Sequence, residues 1–540
     1  MRSSRTSTLL PPVLIVLGVA LRLSAFLANR SLSLDEAAMA RNLIDRPWGK
    51  LLHPLDYAQV APPGFLIVEK AIVSIFGSQE YALRFFPLLC GIASVGLCWA
   101  VSRRILSRGP AILALALFAI NSAFIEYSVL VKQYSADVCA AVLVLFIATV
   151  WLDGPPDRRR SLWLGTAGLA TAAFSFTAVF FLTGAAMTCA FVALRNSAAR
   201  TRPAVLIAPA LWVAGAAGGT LIGHLNLTPA DAAYMNWFWA IGFMPWPPTS
   251  LRDVLWVWRQ FQGVFSFTAH YRITIVWVAL VALGAWSLVR RGQATTMFLL
   301  LTPLLLVVAA AVARLYPFTS GRVQLFLLPA LLMVVAEGTG FWWRLLAVRS
   351  RWLGALPAVA VLVLAVYSTW NALRTPDLDD IRSVLQNVKS SWRPGDRVYV
   401  YYGAGQQFLY YESRYHFAPA DYILGTCSGA NGRAALRELD QLRGHARMWF
   451  VTSRNAVDPE YLLGYLDAIG TRLPMGSVKG PDKYGNRNGA FGYLYDLSES
   501  PRSRSVSADE YTLPENLRRN EPYPWTCYGV FLPRSHGPSN

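Results

Sequence analysis

The stretch Leu162–Arg195, LWLGTAGLATAAFSFTAVFFLTGAAMTCAFVALR, decides how this chain is arranged. It is apolar throughout, with a polar interruption at Ser175–Thr177 near its middle. One long helix would cross a bilayer once; two short helices with a tight turn at Ser175–Thr177 would cross it twice. A crossing needs about 20 mainly apolar residues. Other such runs lie near 9–28, 84–102, 110–126, 136–152, 204–224, 272–290, 296–314, 322–342 and 352–371. With the stretch divided, about eleven spans result. The turns then on the N-terminal side carry Arg2 and Arg5; Arg103, Arg104 and Arg108; Arg158, Arg159 and Arg160; Arg195, Arg200 and Arg202; Arg290 and Arg291; Arg344, Arg349 and Arg351. Cytoplasmic loops carry an excess of Lys and Arg. An undivided stretch would send the later clusters to the opposite side, so the sequence favours two helices and a cytoplasmic N-terminus.

The totals agree with a polytopic membrane protein. Of 540 residues, 54% are hydrophobic and only 15% charged, against about 25% charged in soluble domains. The net charge of +18 would suit nucleic acid. The Arg residues fall in short turns between apolar runs, however, without a nucleic-acid signature, so topology accounts for them. The first run lacks a small-residue cleavage site and carries Arg22, which reads as a retained span. Of six cysteines, Cys90, Cys98, Cys139 and Cys189 lie in apolar runs, and Cys427 and Cys527 in the polar C-terminal part. The last two suit a disulfide if that part is extracytoplasmic. No spacing suggests zinc.

This orientation places 29–83, 127–135, 225–271, 315–321 and everything past 372 outside. The first outer loop has helical apolar spacing broken by Pro and Gly, as in helices that lie in the interface. The loop 225–271 is rich in Trp and Phe, which fits the headgroup belt. Residues 372–540 read as a small extracytoplasmic α/β domain with a looser tail past about 499. Its helices are DIRSVLQNVKSSW and PEYLLGYLDAIG; its strands are DRVYVYY, ARMWFVT and AFGYLYDL. The aromatic stretch YVYYGAGQQFLYY reads as core rather than as an acceptor surface. The expected domains are thus 1–371, with the outer loop 29–83, and 372–540.

Chemistry gathers at the outer ends of the spans. Asp35 and Glu36 form an acid pair just after the first span. Taken alone, the pair reads as a solvated loop with Asp35 capping a short helix. Its company suggests more: Arg22, Arg84, Glu126, Lys132, Tyr134, Asp137, Arg314 and Arg322 all lie at the same ends. Ionisable groups at membrane depth are costly and face a cavity or a partner. Carboxylates among cations suit a site that holds an anionic lipid phosphate and deprotonates an acceptor hydroxyl.

Six segments carry a family resemblance: LDEA at 34–37, QVAPPGFLIVEK at 59–70, SQEYALRFFPLL at 78–89, YSVLVKQYSADV at 127–138, LYPFTSGRVQLFLLP at 315–329 and RPGDRVYVYY at 393–402. Together they resemble bacterial dolichyl-phosphate-mannose–protein mannosyltransferase-like proteins of the GT-C superfamily, which use polyprenyl-phosphate sugars. The resemblance implies a GT-C-like fold in a bacterial inner membrane and an inverting transfer by direct displacement. It makes Asp35 the catalytic base, with Glu36 orienting the acceptor or supporting Asp35. Lys132, Arg84 and Arg322, and after them Arg22, would stabilise the leaving phosphate. Gln59 and Tyr134 would bind sugar or phosphate oxygens, and Asp137 stands with them among the substrate-binding residues. The partners implied are a polyprenyl-phosphate sugar donor, membrane lipid, and an acceptor that is a glycolipid, polysaccharide or protein.

The chain departs from the lipid A aminoarabinose transferases, which carry an Arg shortly after the acid pair and a Lys before the prolines. Ala38 and Ala61 stand there. Lipid A is therefore not a favoured acceptor. Asp35, Glu36 and Asp137 offer oxygen ligands for a divalent cation, but the nearby cations remove the need, and no cofactor is expected. A lipid-linked-sugar transporter would call for internal repeats or broken helices, and neither is visible. A scaffold with a glycan-binding outer domain would need neither Asp35 nor the ring of cations.

Overall fold

The computed structural model describes residues 2–154, 157–195, 203–374, 380–427, 432–453, 460–473, 478–479, 489–498 and 506–513. Each of the expected apolar runs is a helix: Arg2–Leu27, Phe85–Ile105, Arg108–Ile120, Tyr134–Leu152, Arg158–Phe174, Ala178–Arg195, Ile207–Leu225, Thr274–Arg290, Ala294–Val312, Leu328–Leu346 and Arg351–Arg374. Among the described residues, eight helices are long and apolar enough to cross a membrane, against about eleven expected, and Arg158–Phe174 is not one of them. Arg108–Ile120 and Thr274–Arg290 are apolar but shorter. The opening stretch divides where its polar residues predict. Helix Arg158–Phe174 ends at Ser175, in extended conformation, and Ala178–Arg195 begins two residues after Phe176.

Contacts divide the chain into two units: 1–28 with 60–374, and 29–59 with 375–540. In the first, Arg322–Leu346 is the central span, with 89% of its apolar window buried, against 17% for Leu9–Leu27. Glycines set its closest crossing. A Cβ on Gly284 would lie 2.0 Å from the Val334 carbonyl oxygen, and one on Gly338 would lie 2.1 Å from that of Leu280. Only glycine lets helices Thr274–Arg290 and Leu328–Leu346 approach so nearly. Two Arg-rich turns share one end of this unit, because Arg104 pairs with Asp153 at 2.5 Å.

The second unit is built on a sheet of β1 (Arg397–Val400), β2 (Tyr422–Leu424), β3 (Met448–Thr452), β4 (Thr471–Arg472), β5 (Val478–Lys479) and β6 (Phe491–Asp496). The strand order is β2-β1-β3-β6-β4, with β5 also on β6. β1 runs parallel to β2 and β3, while β6 is antiparallel to β3, β4 and β5. The expected helices are Ile381–Ser390 and Glu460–Ile469, and Gly405–Tyr411 and Gly432–Asp440 are added to them. Helix Ile381–Ser390 buries Ile381, Val384, Leu385 and Val388, the one-faced spacing of an amphipathic helix. Tyr399, Tyr401 and Tyr402 are buried in the core, as the aromatic stretch predicts. Asp396 ties β1 to β3, accepting from Arg447 Nε at 2.9 Å and Trp449 Nε1 at 3.0 Å. Cys427 is disulfide-bonded; its expected partner Cys527 lies outside the described residues, as does most of the tail past 499.

Candidate active site

The acid pair opens helix Leu34–Asp45. Its N-cap is Ser33, not Asp35. The Ser33 N–H donates to Glu36 Oε2 at 3.0 Å, and the Glu36 N–H donates to Ser33 Oγ at 3.4 Å. This reciprocal capping box satisfies two backbone donors that a helix start leaves open. Glu36 is buried and one of its oxygens serves the turn. Asp35, next to it, is half-buried. The pair is therefore no solvated loop, and its two members differ. Both benefit from the positive end of the helix dipole.

The segment 29–59 that carries this helix is locked by its own polar groups. Asn42 Nδ2 donates to the Asp56 carbonyl at 3.2 Å, and the Asp56 N–H returns a bond to Asn42 Oδ1 at 2.8 Å. Arg46 pairs with the Asp56 carboxylate at 2.9 Å. Tyr57 and Ala58 follow in the left-handed region, with φ of 60° and 50°, which L-residues adopt at a cost. Gln59 Nε2 donates to the Tyr57 carbonyl at 3.0 Å, across that turn.

In the membrane unit, Arg322 meets Tyr134, and Asp137 on the same helix as Tyr134 meets Ser175. The Arg322 guanidinium lies 5.7 Å from the centre of the Tyr134 ring, and Tyr127 meets Tyr134 edge-on at 5.3 Å. Asp137, one turn along the same helix, accepts from Ser175 Oγ at 2.6 Å. Ser175 also contacts Thr177 Oγ1 at 3.1 Å and accepts from the Ala178 N–H at 3.1 Å. The polar break in the long apolar stretch thus reaches Asp137 as well as ending a helix. Gln133 Nε2 donates to the Val60 carbonyl at 3.1 Å, joining this loop to the start of the proline segment. Arg84 and Lys132 are both buried in this unit. Arg84 ends the short helix Glu80–Leu83, and Lys132 sits in the turn closed by its own N–H on Leu130.

Arg22 is placed differently. It is fully buried, donates to the Gly18 and Ala119 carbonyls at 2.9 and 3.2 Å, and stacks over Phe118. Its Nε and Nη2 have no hydrogen-bond partner. It lines a small cavity with Ser94, Tyr127, Ser135 and Leu325. Sequence reading missed Glu69, which is fully buried on helix Pro63–Phe76, with both carboxyl oxygens unpartnered. It also missed Tyr316, whose hydroxyl donates to the Val323 carbonyl at 2.8 Å. Glu69 follows the quoted prolines by two turns, and that spacing was its one available signal. Among the described residues, no three His, Cys, Asp or Glu side chains gather to hold a metal ion.

Residues 60–217 match the family described as dolichyl-phosphate-mannose-protein mannosyltransferase. The structure aligns with ArnT from Cupriavidus metallidurans bound to undecaprenyl phosphate at 11% identity and a TM-score of 0.51. That alignment covers 89% of this chain and 97% of that one. Archaeal oligosaccharyltransferase AglB from Archaeoglobus fulgidus, in complex with an inhibitory peptide and a dolichol-phosphate, aligns at 12% identity and a TM-score of 0.44. Here 89% of this chain and 75% of that one are covered. No curated protein matches by sequence. The likeness to ArnT speaks for the fold, and the family match covers the segment that holds Arg84, Lys132, Tyr134 and Asp137. The chain thus shares the fold of ArnT, and its residues 60–217 match the dolichyl-phosphate-mannose-protein mannosyltransferase family.

Proposed function

We propose that the protein is an inverting glycosyltransferase that moves a monosaccharide from a polyprenyl-phosphate donor to an extracytoplasmic acceptor hydroxyl, with Asp35 as general base. One observation carries the assignment within the acid pair. Glu36 is buried and bound into the capping box, whereas Asp35 on the same turn is half-buried. A base must reach the proton that it takes. Glu36 accordingly supports Asp35 by holding its turn.

In the proposed step, Asp35 accepts the acceptor's proton as the oxygen attacks the anomeric carbon from the face opposite the phosphate. The carbon–oxygen bond to phosphate breaks with its electron pair, and the lipid phosphate leaves with one more negative charge than it had in the donor. Fixed cations stabilise such growing charge most when they are preorganised. Arg84, Lys132 and Arg322 take that role, and Tyr134 and Gln59 bind oxygens of the donor. Arg22 is shut into the bundle beside carbonyls and acts at most through the helices that it joins. Three cations supply the neutralisation, so the reaction is proposed to need no metal. The Arg-rich turns favour a bacterial inner membrane with the N-terminus inside.

The test is sugar transfer in native membranes with a labelled panel of polyprenyl-phosphate sugars, wild type against Asp35→Asn. A loss of about 10²–10⁴-fold is expected, with transfer persisting after EDTA. Equal transfer by both proteins would remove Asp35 as the base.

A further inference from the structure

The base-bearing segment does not hold its own entry. Leu32 precedes the N-cap Ser33 and is fully buried. Its peptide groups belong to neither a helix nor a sheet, and buried backbone groups must find partners. Residues far along the chain supply them. The Leu32 N–H donates to the Tyr411 hydroxyl at 3.0 Å, and Gln407 Nε2 donates to the Leu32 carbonyl at 2.8 Å. Arg382 donates to the Asn29 carbonyl three residues earlier. Tyr411 and Gln407 lie one turn apart on helix Gly405–Tyr411 of the α/β unit, and both are fully buried.

We infer that Tyr411 and Gln407 are positioning residues: by holding the N–H and the carbonyl of Leu32, which belong to the two peptide groups on either side of its Cα, they set the direction in which the first turn of helix Leu34–Asp45 presents Asp35. The inference rests on Asp35 being the base. The geometry specifies a clamp rather than general packing. A single bond would hold only one of the two peptide groups that flank Leu32, whereas a donor and an acceptor hold both and so restrict the backbone between them. The second of these groups leads into the capping box, which carries the direction to Asp35 within three residues. The α/β unit thus acts on the reaction through the base's orientation, without touching substrate.

Two readouts test this in the full-length membrane-embedded protein. The first needs no activity. Asp35→Cys is alkylated with a maleimide, and the tryptic peptide Ser31–Arg41 is quantified with and without Tyr411→Phe or Gln407→Leu. Either change is expected to speed alkylation at position 35 roughly fivefold or more, since a clamp bond is lost. The rate at Asp45→Cys, at the far end of the helix, should not change. An unchanged rate at 35, or an equal rise at both positions, would overturn the inference. The second readout is a double-mutant cycle on sugar transfer. Tyr411→Phe should lower kcat about tenfold with KM unchanged, and should have no further effect in an Asp35→Asn background. Additive losses would mean a merely structural tie. If Asp35→Asn alone left transfer intact, the base assignment would fall, and alkylation would still decide the clamp.

Discussion

Glu337 and Glu69 are both fully buried glutamates in helices of the same bundle, and their surroundings are opposite. Glu337 Oε1 accepts from Ser287 at 2.7 Å, Arg291 at 3.0 Å and Arg344 at 2.6 Å. Neither Glu69 oxygen has a partner. A buried carboxylate is tolerated when cations and donors replace its water; without them it gives up its charge instead. Burial pushes the Glu69 carboxyl well above the usual carboxylate range. The first glutamate is thus a staple between helices Thr274–Arg290 and Leu328–Leu346, and the second an acid that burial pushes toward its neutral form under the proline segment. A buried glutamate is therefore not one kind of object, and its neighbours in space decide how its burial is met.

The sharpest way to break this contrast is to strip Glu337 of its cations. Arg291→Ala with Arg344→Ala leaves a buried acid beside one hydroxyl, and should cost about 3–5 kcal/mol of stability, as for other broken buried pairs. Loss of monodisperse protein in detergent and a lowered melting temperature would show it. Glu337→Gln should cost less, about 1–2 kcal/mol, because Arg291 and Arg344 are 35% and 39% exposed and can turn to water. Glu69→Gln should have the opposite sign, raising stability by about 1 kcal/mol at neutral pH. A carboxyl whose folded pKa is raised contributes its full stability below its unfolded pKa, and loses it as pH rises toward the folded value. The gain from Gln should therefore be larger at pH 8 than at pH 5 in paired melting curves. A destabilised Glu69→Gln, or a gain equal at both pH values, would make the two glutamates alike after all.

Much of the bundle was legible because membrane helices announce themselves locally. Every expected apolar run is a helix, and Ser175–Thr177 marks a break that composition alone exposes. The strands with β-branched and aromatic alternation, β1, β3 and β6, were legible for the same reason. Two- and three-residue strands such as β2 and β4 were not, since their partners define them rather than their own residues. The N-cap shows a readable signal misassigned. Ser33–Leu34–Asp35–Glu36 has the capping-box spacing, yet the acid pair drew the cap to Asp35. Contacts across long sequence distances left no local trace. Nothing near Tyr411 announces Leu32, and nothing near Asp137 announces Ser175. Gln59, Arg84, Lys132 and Arg322 were singled out by residue type and resemblance alone, with no local pattern to show what each one touches.

The tie between Leu32 and Tyr411 has a consequence for biogenesis. Helix Leu34–Asp45, which carries the proposed base, leaves the ribosome early, and Tyr411 is synthesised 379 residues after Leu32. Contacts of such separation form late, since loop closure delays them. A nascent chain can therefore insert its spans before the Leu32 groups have found these partners. On the proposed reading, competence would arrive only once Tyr411 has been made, so a product stalled before it would sit in the membrane as an idle bundle rather than as an unregulated catalyst.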